Sequence, residues 1–370
     1  MTVFDDLVGQ AEVTAELQRA VAGDGMTHAW LFTGPPGSGR SVAARAFAAA
    51  LQCADGGCGA CSQCRQVLQR THPNVGFVTP AGLSISVDEA RDVVRRAALA
   101  SSGGRWQVVL IEDADRLTER AANVWLKAIE EPEARSVFLL CAPSADDLPP
   151  TIRSRCRLLT LRLPSSADVA EVLMRRDGVG ESMAHWAARA SMGHVGRARA
   201  LALDESARSQ RTEVLDLPRR VALVGDALAA AADLVEIAGD ESDRIATGAA
   251  KEETAAFVEV VGKGRGTAGL YADLAKRQKS RETRVRRDVL DRALVDLVAL
   301  YRDVLAVQLG GGGELVHEDQ SALTQRLAAA SSPEATLRRV DAVLACREAL
   351  DLNANVLLAI EQLTLALRDA

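Results

Sequence analysis

Unbroken apolar runs and helical patterns take turns along the first part of the chain. His28–Thr33 (HAWLFT) is a short apolar run ending in glycines and prolines, and Ser41–Leu51 follows with many alanines and no helix breaker, which predicts strand, loop, helix. Val75–Val78 predicts a second strand, and Val87–Ala100 has helical spacing with acids in its first turn. Trp106–Ile111 (WQVVLI) and Ser136–Cys141 (SVFLLC) read as buried strands, and between them Thr118 can cap a helix running to Pro132. Pro149-Pro150 breaks the chain before Ile152–Arg157. Continuously apolar strands separated by helices predict a parallel sheet covered on both faces, the layout of a P-loop-type α/β domain.

From Ser165 onward the pattern is helical, with interruptions at Gly178 to Gly180, Gly193, and Gly310 to Gly313. Leu290, Leu294, Leu297, Tyr301 and Val304 recur in steps of four and three, lining one helix face in a way that serves a core or a subunit interface equally. The expected organisation is an α/β domain over 1–164, a small helical domain over 165–208 and a longer all-α domain over 209–370.

Composition narrows the function classes. A 370-residue chain with 48% apolar and 25% charged residues is that of a globular protein of two or three domains. A formal net charge of −6 argues against a surface that grips nucleic acid everywhere. A local stripe remains, because residues 263–287 hold nine lysines and arginines; a solvated helix face or a flexible connection near Gly262–Gly269 is the commoner meaning of such a run. The start MTVFDDLVGQ has acids where a signal peptide would be basic and then apolar, and no run approaches about eighteen apolar residues, so the expected address is cytoplasmic with no membrane partner.

Three constellations carry chemistry. Gly34-Pro-Pro-Gly37-Ser38-Gly39-Arg40-Ser41 has the glycines of a phosphate loop between a strand and a helix, where backbone N–H groups and a helix N-terminus can turn on an anion. Arg40 stands where such loops usually carry lysine, and its planar guanidinium does not imitate a compact ammonium, so binding can survive while hydrolysis suffers. Ser41 still offers a hydroxyl to magnesium; a relic loop holding a stray anion or nothing is the competing reading. Glu112 and Asp113, at the end of WQVVLI, supply acids for a magnesium-bound nucleotide or merely cap the next helix. Cys53, Cys58, Cys61 and Cys64, spaced C-x4-C-x2-C-x2-C among glycines 56, 57 and 59, suit a closed tetrahedral zinc site. An iron–sulfur cluster and a thiol redox pair are the alternatives. Cys141, Cys156 and Cys346 read as small core residues, and His72 as a loop residue or a substitute ligand.

HAWLFTGPPGSGRS, LIEDADRLTERAANVWLKAIEEP and LPPTIRSRCRLLTL, in this order and spacing, resemble the clamp-loader branch of AAA+ proteins over residues 1 to about 205. The resemblance implies an AAA+ module, a zinc module at 53–64, a helical lid and a helical collar. Within that branch, motor subunits would be expected to carry the loop lysine, an Asp-Glu pair and a polar residue after the SVFLLC strand. This chain has Arg40, Glu112-Asp113 and Cys141-Ala142-Pro143, and Gly196 sits where a lid arginine is expected, with Arg197 one position on. These departures resemble the delta-prime type of DNA polymerase III loader subunit more than gamma or tau, and imply no ATPase activity of its own; an active gamma/tau-like ATPase subunit, and a zinc-dependent nucleic-acid-binding regulator with a vestigial P-loop, are the alternatives. By the same resemblance, Ser154-Arg155-Cys156 presents Arg155 in trans to ATP bound by a neighbouring subunit. The implied partners are gamma/tau and delta subunits, a sliding clamp and primer–template DNA; the implied cofactor is zinc, with ATP and magnesium at the chain's own loop left open.

Overall fold

The fold is described from a computed structural model, over residues 2–78, 84–97, 106–221, 223–261 and 268–369. Two compact units divide the chain, 1–202 and 203–370.

In the first unit the order is α1 (Ala11–Val21), β1 (Ala29–Thr33), α2 (Arg40–Gln52), α3 (Ser62–Leu68), β2 (Val75–Val78), α4 (Val87–Ala97), β3 (Gln107–Ile111), α5 (Glu119–Glu130), β4 (Ser136–Ala142), α6 (Pro150–Arg153) and β5 (Arg157–Thr160). Three further helices follow, α7 (Ser166–Asp177), α8 (Glu181–Ala190) and α9 (Val195–Leu203). The strands form one parallel sheet in the order β2-β3-β4-β1-β5. The expected strands and helices are present at nearly the expected bounds, and Thr118 caps α5 by accepting from the Ala121 N–H. The last strand, β5, was not read from the sequence. RLLT is short and lies at the sheet edge, with only Leu159 buried, so it lacks the continuous apolar signature of the inner strands. The part of the expected Val87–Ala100 helix beyond residue 97 lies outside the described residues.

Successive strand residues point to opposite faces, and the sheet uses both. Trp30, Phe32, Val108, Leu110, Leu139 and Cys141 pack with α2, where Phe47 meets the Trp30 ring edge-on at 5.1 Å. Leu31, Val109, Ile111 and Leu140 face the other way, onto Trp125 of α5.

The second unit is helical: α10 (Glu205–Arg220), α11 (Val224–Val261), α12 (Ala268–Gln308), α13 (Ser321–Ala330), α14 (Pro333–Asp351) and α15 (Val356–Asp369). Leu290, Leu294, Leu297 and Tyr301 pack into this unit's own core with Leu234, Ile360 and Leu363, and Val304 is buried with them. No described helix is long and apolar enough to cross a membrane.

A buried polar network ties α10 and α12 to the loop before α13. Arg211 donates to both carboxylate oxygens of Asp319 at 2.7 and 2.9 Å and to His317 Nδ1 at 2.8 Å. Because guanidinium only donates, Nδ1 accepts and Nε2 carries the proton, aimed at the Asp296 carbonyl at 3.2 Å. Asp303, fully buried, accepts from the His317 and Val316 N–H groups at 2.8 and 3.1 Å. Burial first, and the Arg211 charge second, hold the His317 imidazole below its usual range, against the weaker pull of Asp296 and Asp303. The folded state therefore resists a proton that the unfolded chain takes up as pH falls through about 6.5. Stability is expected to be full above that value and to drop as pH falls below it, by at most about 1.4 kcal/mol per pH unit from this group. Urea midpoints at pH 8 and 5.5 check this: His317→Gln should flatten that part of the slope while lowering the midpoint at pH 8.

Candidate functional site

The turn from β1 into α2 forces the phosphate-loop shape. Gly34 and Gly37 have φ of 144° and 90°, and a Cβ on Gly34 would lie 2.4 Å from the Leu161 carbonyl oxygen. A Cβ on Gly37 would come within 2.8 Å of His194, which precedes α9. Ser38 is buried, and its hydroxyl has no hydrogen-bond partner, as an anion-binding turn would leave it. The loop borders a cavity of about 600 Å³ lined by Gly37 to Ser41, by Arg45 of α2, and by Leu68, Arg176, His194 and Arg199. Volume, turn and basic lining suit a phosphate-bearing ligand.

Arg40 points back into its own loop, its Nη1 donating to the Gly34 carbonyl at 2.6 Å. Arg45 Nε donates to the Ser41 carbonyl at 3.1 Å. Arg176 and Arg199 both bond Asp177, at 3.0 and 2.9 Å, which holds the Asp177 carboxyl below the usual range against the opposing effect of its burial. α9 contributes Gly196 and Arg199 to the cavity.

At the end of β3, Glu112 is buried, and Arg70 bonds both of its oxygens at 2.7 and 2.9 Å. Asp113 begins the following 3-10 turn without a side-chain cap bond. Burial, and next the Asp113 charge, push the neighbouring Asp115 carboxyl up. Ala142 and Pro143 close β4, and the fields of Glu112, Arg40, Asp113 and Arg45 all reach the buried Cys141 thiol, so loop, acids and β4 converge at one edge of the sheet. The loop suits an anion, and Glu112, one of the two acids, is already engaged by Arg70.

The cysteine cluster closes locally. Cys53 ends α2, Cys61 caps α3 and Cys64 lies in its first turn. All four Sγ atoms lie within 4.8 Å of one another, with Cys53 Sγ 3.6 Å from Cys58 and 3.7 Å from Cys61. A zinc–sulfur bond of about 2.3 Å puts tetrahedral sulfurs about 3.8 Å apart, so the cage has zinc's dimensions. The N–H groups of Cys58, Cys61 and Cys64 each donate to the preceding cysteine's sulfur at 3.4 Å, stabilising thiolate character. His72 is no part of it: its Nε2 pairs with Gln63 at 2.7 Å and its Nδ1 accepts from Asn74 N at 3.1 Å. Cys141, Cys156 and Cys346 are buried or partly buried apart from this cage, and burial pushes their thiols up, to about 12 at Cys156 and about 11 at Cys346, as small core residues.

Arg155 follows α6 and is 40% exposed. It pairs with Glu130 of α5 at 2.7 Å, and its Nη1 donates to the Thr151 carbonyl at 2.8 Å and to Ser154 Oγ at 3.3 Å. In the basic stretch, Arg287 donates to Asn353 at 2.8 Å and Arg284 lies 3.9 Å from Asp288, while Lys263 and Arg265 lie outside the described residues.

Two profiles of one family bracket this geometry: that described as DNA polymerase III, delta subunit, matches residues 9–165, and its C-terminal counterpart matches 288–369. Over both segments the chain is similar to DNA polymerase III delta subunits. Its five-stranded parallel sheet, glycine turn and the turn bearing Arg155 lie within the first match, and α14 and α15 within the second. A DNA polymerase III subunit delta' of Bacillus subtilis is 25% identical over 97% of this chain and 96% of its own length. That of Pseudomonas aeruginosa is 38% identical over 40% of this chain and 47% of its own. The tau subunit of Bacillus subtilis is 33% identical over 46% of this chain, which spans 31% of that larger protein.

Arg45, Arg70, Arg176, His194 and Arg199 were not read from the sequence, because each reaches its site through the fold rather than through a spaced motif. Replacing Cys64 with serine, or chelating metal, is expected to strip about one zinc per chain and lower the unit's thermal midpoint. Zinc release measured with a metallochromic dye, alongside a calorimetric scan, checks both.

Proposed function

We propose that this chain is a clamp-loader subunit that hydrolyses no ATP itself and supplies Arg155 to ATP held by a neighbouring gamma/tau-type subunit, with delta, a sliding clamp and primer–template DNA as further partners. The observation that carries the reading is the contrast between the two arginines. Arg40, in the chain's own loop, is turned onto the Gly34 carbonyl at 2.6 Å, whereas Arg155 stands on a half-exposed turn with Glu130 as its ion-pair partner. An exposed pair of that kind contributes about 0–1 kcal/mol, so redirecting the guanidinium onto a neighbour's phosphate costs little. An arginine supplied in trans to a transferring phosphoryl group accelerates transfer by roughly 10³–10⁵. Ser154 Oγ, itself donating to the Thr151 carbonyl at 3.2 Å, steadies the turn.

In this reading residues 165–208 act as a lid over the loop and 209–370 as the collar that joins other subunits. The exposed Leu337, Leu344 and Leu352, spaced seven and eight apart on and just beyond α14, support a subunit contact on that helix. Zinc at Cys53, Cys58, Cys61 and Cys64 has a structural role.

The test is DNA-stimulated ATP hydrolysis by the reconstituted loader. Arg155→Ala is expected to lower the rate at least a hundredfold, with Arg40→Ala changing it less than twofold. The reverse pattern would make this a motor subunit, the second reading that the intact glycine turn keeps open.

A further inference from the structure

Arg70 belongs to no motif, yet it joins the cysteine cluster to the phosphate-loop edge. α3 begins beside one cluster cysteine, carries another, and is only seven residues long, too short to be stable without tertiary support. What holds it is the burial of Cys64 near the cluster and of Val67 in its last turn. Its other end closes with Arg70 in a left-handed conformation, φ 61°, where the Arg70 N–H donates to the Val67 carbonyl at 3.0 Å and the Thr71 N–H to the Gln66 carbonyl at 2.8 Å. The helix end therefore fixes where the guanidinium goes. Leu68, two residues earlier, already lines the loop cavity.

The contact has an unusual form. A paired guanidinium and carboxylate commonly meet fork to fork through two nitrogens. Here one nitrogen, Nη2, sits 2.7 and 2.9 Å from the two oxygens of Glu112, centred on the carboxylate as a chelated cation would be. Phe77 of β2 backs the guanidinium at 5.4 Å, and Glu112 is largely withdrawn from solvent. Taking Arg70 away would leave a buried carboxylate without its counter-charge; adding a divalent cation while Arg70 stays would place two cations on one carboxylate.

We propose that Arg70 is a positioning residue that takes the place of the divalent cation at Glu112, so that any phosphate-bearing ligand in this loop is held without metal, and that the cysteine cluster keeps Arg70 there through α3. This rests on reading residues 34–41 as a phosphate loop and is independent of Arg155.

The experiment is a Mn2+ titration of the full chain, with and without ADP, followed by electron paramagnetic resonance. Arg70→Gly removes the clamp and suits the left-handed backbone; Arg70→Asn, which also tolerates that backbone, is the second variant should the first fold poorly. Either is expected to bind Mn2+ with ADP at least tenfold more tightly than the wild type, and Glu112→Gln added to it should cancel the gain. Cys61→Ser, by loosening α3, should raise Mn2+ affinity in the same direction, again only while Glu112 is present. Unchanged affinity in both Arg70 variants, or a gain that survives Glu112→Gln, overturns the assignment; no response to Cys61→Ser overturns the cluster's part in it. Failure of every variant to bind ADP overturns the phosphate-loop premise, and leaves the loader assay of Arg155 to stand or fall separately.

Discussion

β1 lies between β4 and β5 with all five of its residues buried, and the polypeptide leaving its end must turn sharply to lay α2 back across the sheet. That constraint produces the glycine turn, because a side chain at Gly34 would collide with the backbone of Leu161 just beyond β5. It brings the ends of β1, β3 and β4 to one edge, where Gly34 to Ser41, Glu112 and Cys141 assemble. The order of strands also places the turn that bears Arg155 before an edge strand: α6 and Arg155 sit where the chain re-enters the sheet to pair with β1 as β5.

Around the loop, positive charge is abundant but engaged. Arg40 is bonded to a loop carbonyl, Arg70 to Glu112, and Arg176 and Arg199 to Asp177. An ATPase site would keep a carboxylate for metal and a cation for phosphate; here carboxylates and arginines of the same chain satisfy one another. Each of these four arginines near the loop therefore has a partner within the fold. The cysteine cage and the acid at β3 are connected through α3, which carries Cys64 and ends beside Arg70, the partner of Glu112.

The helical unit follows another logic. Its longest helices bury an apolar stripe, and between them a fully buried Asp303, a buried His317 and a buried Arg211 satisfy one another through directed hydrogen bonds. Buried charges persist only when paired in this way, so the network specifies the relative placement of α10, α12 and the loop before α13 at the expense of pH sensitivity.

What the sequence determined by itself is whatever repeats at short range. Apolar runs placed β1, β3 and β4, the C-x4-C-x2-C-x2-C spacing marked the cysteine cage, and the glycines around Pro35 and Pro36 marked the anion turn, because strand burial, metal cages and tight turns are each set by residues within about a dozen positions. The leucine stripe from Leu290 was visible as a helix face, but whether it met its own unit or a partner was decided by α11 and α15 folding over it. β5 escaped because an edge strand needs only one buried residue in four. Arg70 with Glu112, His194 against Gly37, and Arg199 with Asp177 are separated by tens to more than a hundred residues, and no local periodicity encodes a pairing that exists only once the sheet and helices have closed.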